Sequence, residues 1–190
     1  GPDLGSWLAE WPANHCVKVL APVRTDDPAD LIAYHEAEIV RLADACRQTG
    51  HELLFEIITG NRDRTAAPSQ ILALMQRFYD LGVAPDWWKL EPVDDVEFWT
   101  GAGDIVRAND PHLQGIIVLG KEMPDEQLAR VLGVARGEPL VRGFAIGRTI
   151  FSDAAQQWFA GRIDDQTAQD MMWAVFERLI AAWDSAVVDR

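Results

Sequence analysis

The chain has 190 residues, with three lysines against fourteen arginines, and the positions of the lysines are what could carry chemistry. Lys18 sits in HCVKVLAP, Lys89 in DWWKLEP, and Lys121 directly after the apolar run GIIVLG. None falls on a stretch that reads as a solvent-facing helix, where most proteins keep their lysines. Arginine holds its proton in a protein, whereas a buried lysine can become a neutral amine. A neutral amine is what Schiff-base formation with a ketone requires. Composition bias with three survivors left by chance is the plainer account of the same count.

Carboxylates accompany the amines. Glu56 lies inside the apolar run ELLFEII, and Glu91 follows Lys89 by two residues. A charge inside a short apolar strand needs a partner or a purpose. Side chains alternate across a strand, so Lys89 and Glu91 share a face with Trp87. By the same parity Lys18 shares its face with Cys16 and Leu20, and Glu56 with Leu54 and Ile58. One reading is a buried ion-pair network, which contributes little net stability. The other is a class I aldolase site. There an amine forms an iminium, a neighbouring cation favours the neutral amine, and a carboxylate moves protons during dehydration and C–C cleavage. On that reading Lys89 is the nucleophile, Lys18 its neighbour and Glu56 the acid/base. Such chemistry uses the protein's own amine, so neither a cofactor nor a metal is expected.

A second cluster closes the pattern. The segment GFAIGRTIFSDAA carries Gly143, Gly147 and then Arg148 at the start of a helix. Backbone N–H groups at a helix N-terminus with one guanidinium make an oxyanion cradle, although such glycines are often only turn formers. Lys121, at the end of the preceding strand, would add a second charge to a phosphate, or is a solvated loop residue. Cys16 and Cys46 read as small buried hydrophobes, without disulfide or zinc spacing.

The elements that must position these residues are five strand-length apolar runs, at His15–Ala21, Glu52–Ile58, Trp87–Glu91, Gly115–Leu119 and Val141–Ile146. Helical patterns separate them. Asp27-Pro28 reads as an N-cap with proline at the first helical position, and Gly50 as the left-handed cap that ends that helix. Its stripe is Leu31, Ile32, Ile39, Leu42, Ala43 and Cys46. Further helices are expected over Pro68–Leu81, closed by Gly82, and over Asp94–Ala108, weakened by Gly101 and Gly103. Pro124–Ala135, Asp153–Ala160 and a long helix from Asp165 to Val187 complete the set. Met171, Met172, Val175, Phe176, Leu179, Ile180 and Trp183 stripe that last helix. Strand and helix in alternation mean a parallel sheet with right-handed crossovers.

With 48% hydrophobic and 25% charged residues the composition is globular, and the length suits one domain, residues 1–190. A net charge of -13 argues against nucleic acid and anionic membrane as partners. No signal peptide or spanning segment is recognisable, so a cytoplasmic setting is expected. The opening Gly1-Pro2 reads as the scar of a processing protease.

The motifs HCVKVL, GHELLFEII, LGVAPDWWKLEP, GIIVLGKE and VRGFAIGRTIFSDAAQQWFAGRIDD resemble a known family over essentially the whole chain. It is the C-terminal class I aldolase-like domain of the bifunctional myo-inositol catabolism protein, where it is fused to a 5-dehydro-2-deoxygluconokinase. More distantly the strands are similar to those of class I tagatose-bisphosphate aldolases. The resemblance implies an α/β fold of TIM-barrel type and cleavage of 2-deoxy-5-keto-gluconate 6-phosphate to dihydroxyacetone phosphate and malonic semialdehyde. It puts the Schiff-base lysine of the sixth barrel strand on Lys89, the fourth-strand lysine on Lys18, the fifth-strand acid on Glu56 and the phosphate-binding arginine on Arg148. Gly147, Lys121 and Glu91 fall to substrate binding. The seventh strand, VLGK, lacks the serine of the tagatose-bisphosphate pattern. Five strands are also fewer than the eight of a full barrel. The expectation is therefore the last five βα units of a (β/α)8 barrel, without the first three. A fragment, a reduced natural protein, or a barrel completed by another chain or a homo-oligomer would each account for that. The alternative function is a non-catalytic sugar-phosphate-binding or oligomerisation domain that keeps a remnant of the site.

Overall fold

The structure, a computed structural model, describes residues 3–60 and 67–185. Five strands alternate with helices: α1 (Leu4–Leu8), β1 (Val17–Ala21), α2 (Ala29–Thr49), β2 (Leu53–Ile57), α3 (Pro68–Asp80) and β3 (Trp87–Leu90). Then come α4 (Val96–Asn109), β4 (Gly115–Leu119), α5 (Asp125–Ala135), β5 (Val141–Ala145), α6 (Arg148–Phe159) and α7 (Asp165–Ser185). The strands lie in one open sheet in the order β1-β2-β3-β4-β5, and the β1/β2 and β2/β3 ladders are parallel. The expected α/β architecture is present, as part of a barrel-type sheet.

The chain divides into two compact units, Gly1–Leu90 with Thr100–Ile116, and Glu91–Trp99 with Ile117–Arg190. In the first, one face of β1–β3 carries Val17, Ala21, Leu53, Phe55, Ile57, Trp88 and Leu90, all buried. Phe55 stacks on Trp88 at 5.0 Å between ring centres and meets Phe78 of α3 edge-on at 4.7 Å. The Trp88 indole N–H donates to the Tyr79 hydroxyl at 2.8 Å, which satisfies a polar atom that burial would otherwise strand. Each such large side chain contributes about 2 kcal/mol on leaving water. In the second unit α7 packs on α5 and α6, and Phe144 meets Phe176 and Trp183 edge-on. The Arg136 guanidinium lies 5.0 Å from the Trp183 ring centre, a cation–π contact.

Several sequence expectations need correction. Asp27 does not cap α2: its carboxylate accepts from the Arg24 N–H at 2.7 Å, and Pro28 occupies the cap position without a side-chain bond. Leu31 is 39% exposed, off the buried stripe of that helix. Gly101 and Gly103 do not interrupt α4. Gly101 instead lets Leu72 approach, since a Cβ there would stand 3.2 Å from the Leu72 side chain. Helix α6 begins five residues before the expected Asp153, at Arg148. Of the α7 stripe only Leu179 is fully buried, and Trp173 beside it is exposed. Cys46 is buried as expected, whereas Cys16 is exposed. Helix α1, capped by Asp3, has no counterpart in the sequence reading. The Gly1-Pro2 scar and the end of the last helix at Val187 lie outside the described residues.

Candidate functional site

Strand register brings three of the singled-out residues together. Glu56 of β2 is in register with Lys89 of β3 and with Leu20 of β1, while Lys18 is in register with Leu54. Aligned residues of parallel strands project to the same side. This face therefore presents Lys18 and Leu20, Leu54 and Glu56, and Trp87 and Lys89, opposite the buried aromatic face. The Lys18 Nζ lies 2.7 Å and the Lys89 Nζ 3.2 Å from one atom, Oε2 of Glu56. That oxygen is buried and neither amine is aligned with it as a hydrogen-bond donor, so the contacts are ion pairs of proximity rather than directed bonds.

Exposure separates the two lysines. The Lys18 side chain is 45% exposed, that of Lys89 17% and that of Glu56 7%. Lys89 is the more enclosed amine, held next to a buried carboxylate. Trp87, one position along the same face, is fixed by its indole N–H donating to Glu52 Oε2 at 3.1 Å. Gln114 holds the other Glu52 oxygen at 2.6 Å.

Glu91 takes a different partner from Glu56. It is fully buried and pairs with Lys121, whose side chain is 28% exposed. Lys121 and the next residue, Glu122, both have left-handed backbone, with φ of 49° and 58°. Each such conformation costs an L-residue about 1–2 kcal/mol. Gly120 before them leaves space that a side chain would take: a Cβ would stand 2.8 Å from Ile146 Cγ2, and the isoleucine would have to shift. Lys121 is thus neither a solvated loop residue nor a free cation; it is the counterion of a buried acid.

Arg148 opens α6, with Gly147 as its N-cap. Its guanidinium is already engaged by Glu122, an ion pair between two exposed side chains. Both border a cavity of about 450 Å3 that Thr149, Ser152, Asp125 and Arg178 also line. Arg178 donates to Asp125 Oδ2 at 2.9 Å and holds that carboxyl below the usual carboxylate range. Sequence reasoning missed Glu122 and also Arg24, whose Nη1 donates to the Thr59 carbonyl at 3.1 Å beyond the ends of β1 and β2. Only the last had a legible signal, an arginine before the Asp26-Asp27 pair.

Among the described residues no group of three or more His, Cys, Asp or Glu stands close enough to hold a metal ion. None of their helices is long and apolar enough to cross a membrane. A family model described as "Uncharacterized protein conserved in bacteria (DUF2090)" matches residues 1–187. The chain belongs to the DUF2090 family. No curated protein matches it. Among solved structures, this DUF2090 chain is similar to fructose-bisphosphate aldolase from Plasmodium falciparum, in a ternary co-crystal with TRAP and a small-molecule inhibitor. The TM-score is 0.59 at 13% identity, over 91% of this chain and 57% of the aldolase. At that identity the likeness is one of fold, and the DUF2090 chain spans little more than half the aldolase's length.

Proposed function

We propose that the chain is a class I aldolase domain whose Schiff-base lysine is Lys89. The observation that carries this reading is a half-buried amine in register with a buried carboxylate, with a second amine on the same oxygen. The aldolase-like fold supports it. In the proposed reaction the Lys89 nitrogen adds to the substrate ketone and water leaves, giving an iminium. In this reading Glu56, whose Oε2 lies 3.2 Å from the Lys89 Nζ, takes the amine proton and supplies one to the departing water. It then accepts the proton of the hydroxyl two carbons from the iminium carbon. The C–C bond breaks, its electrons pass to the iminium as an enamine, and an aldehyde departs. Lys18, the second amine on Glu56 Oε2, stands beside the reacting groups.

The substrate we assign is 2-deoxy-5-keto-gluconate 6-phosphate, cleaved to dihydroxyacetone phosphate and malonic semialdehyde in myo-inositol catabolism, as a kinase-fused cytoplasmic domain. Arg148 and Gly147 would receive the phosphate, with Lys121 and Glu91 shaping that region. The test is borohydride reduction with dihydroxyacetone phosphate present. We expect a mass adduct on Lys89, absent from Lys89→Arg; a folded chain that forms no adduct overturns the reading. The second reading, a sugar-phosphate-binding domain without turnover, draws on the exposed Arg148 beside an open cavity. It requires phosphate ligands to raise Tm through Arg148 while no product forms.

A further inference from the structure

The same register that joins Lys89 to Glu56 continues one strand further. Leu20, Glu56 and Lys89 form a row across β1, β2 and β3, each step about 4.8 Å. Leu20 is 39% exposed, an apolar side chain open to solvent beside a cluster of charges. We infer that Leu20 is a specificity-determining residue, the wall that disfavours a further hydroxyl on the carbon next beyond the one whose hydroxyl gives its proton to Glu56. This rests on the Schiff-base reading of Lys89.

The order of the row matches the order of atoms in the substrate. The carbonyl carbon is bonded to Lys89. The hydroxyl that loses its proton sits on the carbon two positions away, and that proton goes to Glu56. The next carbon along the chain lies one bond further from Lys89, and beyond Glu56 the row continues to Leu20. A hydroxyl on that carbon would give up water for a side chain with no polar atom. The one polar side chain of β1, that of Lys18, is occupied 2.7 Å from Glu56 Oε2. A methylene there loses nothing. An apolar wall rejects an added hydroxyl by at most about a hundredfold, so the selectivity is moderate.

The experiment runs the reaction in the direction of synthesis, with dihydroxyacetone phosphate and two acceptors, malonic semialdehyde and its 2-hydroxy counterpart. The readout is the ratio of kcat/KM for the two, with borohydride adduct formation on Lys89 measured alongside. We expect the natural chain to favour the unhydroxylated acceptor about tenfold or more. Leu20→Thr should cut the ratio about tenfold with the adduct intact, and Leu20→Val should leave it unchanged. Leu20→Ser serves as a second polar variant should Leu20→Thr fold poorly. An unchanged ratio in a folded polar variant that still forms the adduct overturns the role of Leu20 alone. A natural chain that forms no adduct overturns the Schiff-base reading and this inference with it.

Discussion

The Lys89 ammonium lies 3.2 Å from Oε2 of Glu56, its in-register neighbour on β2. Glu56 thereby sits between two cations, and removing its charge leaves Lys18 and Lys89 facing each other without a counterion. Glu56→Gln should cost about 2 kcal/mol of stability, below the full penalty of a buried pair because Lys18 is half exposed. Urea unfolding of the variant against the natural chain measures this, and Glu56→Gln with Lys18→Met should recover part of the loss.

Arg148 should bind phosphate more tightly once its internal competitor is gone. Exposed ion pairs are worth at most about 1 kcal/mol, so Glu122→Gln should strengthen inorganic phosphate binding by up to about fivefold. Arg148→Ala should abolish the response in either background. Isothermal titration at low ionic strength is the measurement.

Asp125 sets an acid limb to stability. The Arg178 hydrogen bond holds its carboxyl below the ordinary carboxylate value, so the folded state favours the anion. That stabilisation is present above about pH 4, the unfolded value, and is lost as pH falls through the folded one. The Tm gap between the natural chain and Asp125→Asn should thus be widest near neutrality and close in acid. Because the pair is partly exposed, added salt should narrow it.

The two thiols should react at different rates. Burial pushes the Cys46 thiol up to about 11, and Cys46 is enclosed, whereas Cys16 is exposed. A thiol-reactive disulfide at pH 8 should label Cys16 alone until the chain is unfolded. The sign for stability is opposite to that of Asp125. Protonated Cys46 favours the fold at neutral pH, and that contribution fades as pH rises from the free-thiol range to about 11.

Much of the scaffold was legible because apolar runs bounded by turn residues can hardly be anything but strands. The Gly115–Leu119 strand matches its expected bounds, and the others differ by one or two residues at their ends. Helix α1 was illegible because five residues are too few to show a period. The start of α6 was misplaced because Ser152-Asp153 imitates a cap, while the true boundary is set by Gly147. In the site, parity grouped Lys89 with Glu91 and Glu56 with Leu54 and Ile58, but parity within a strand says nothing about alignment between strands. That alignment decides that Glu56 takes both Lys18 and Lys89. The partner of Glu91 depends further on the left-handed turn at Lys121 and Glu122, which no local propensity announces in residues of that type.

Strand β1 forms one border of the open sheet, and Lys18 stands on it with almost half its side chain in water. A sheet border offers unsatisfied backbone groups to any extended peptide, and a lysine is among the devices that discourage such self-association. Lys18 should therefore also discourage fibril-like pairing between copies. Neutralising it should show itself first in colloidal behaviour: a lower soluble concentration and a growing scattering signal at a temperature where Lys18→Arg stays clear.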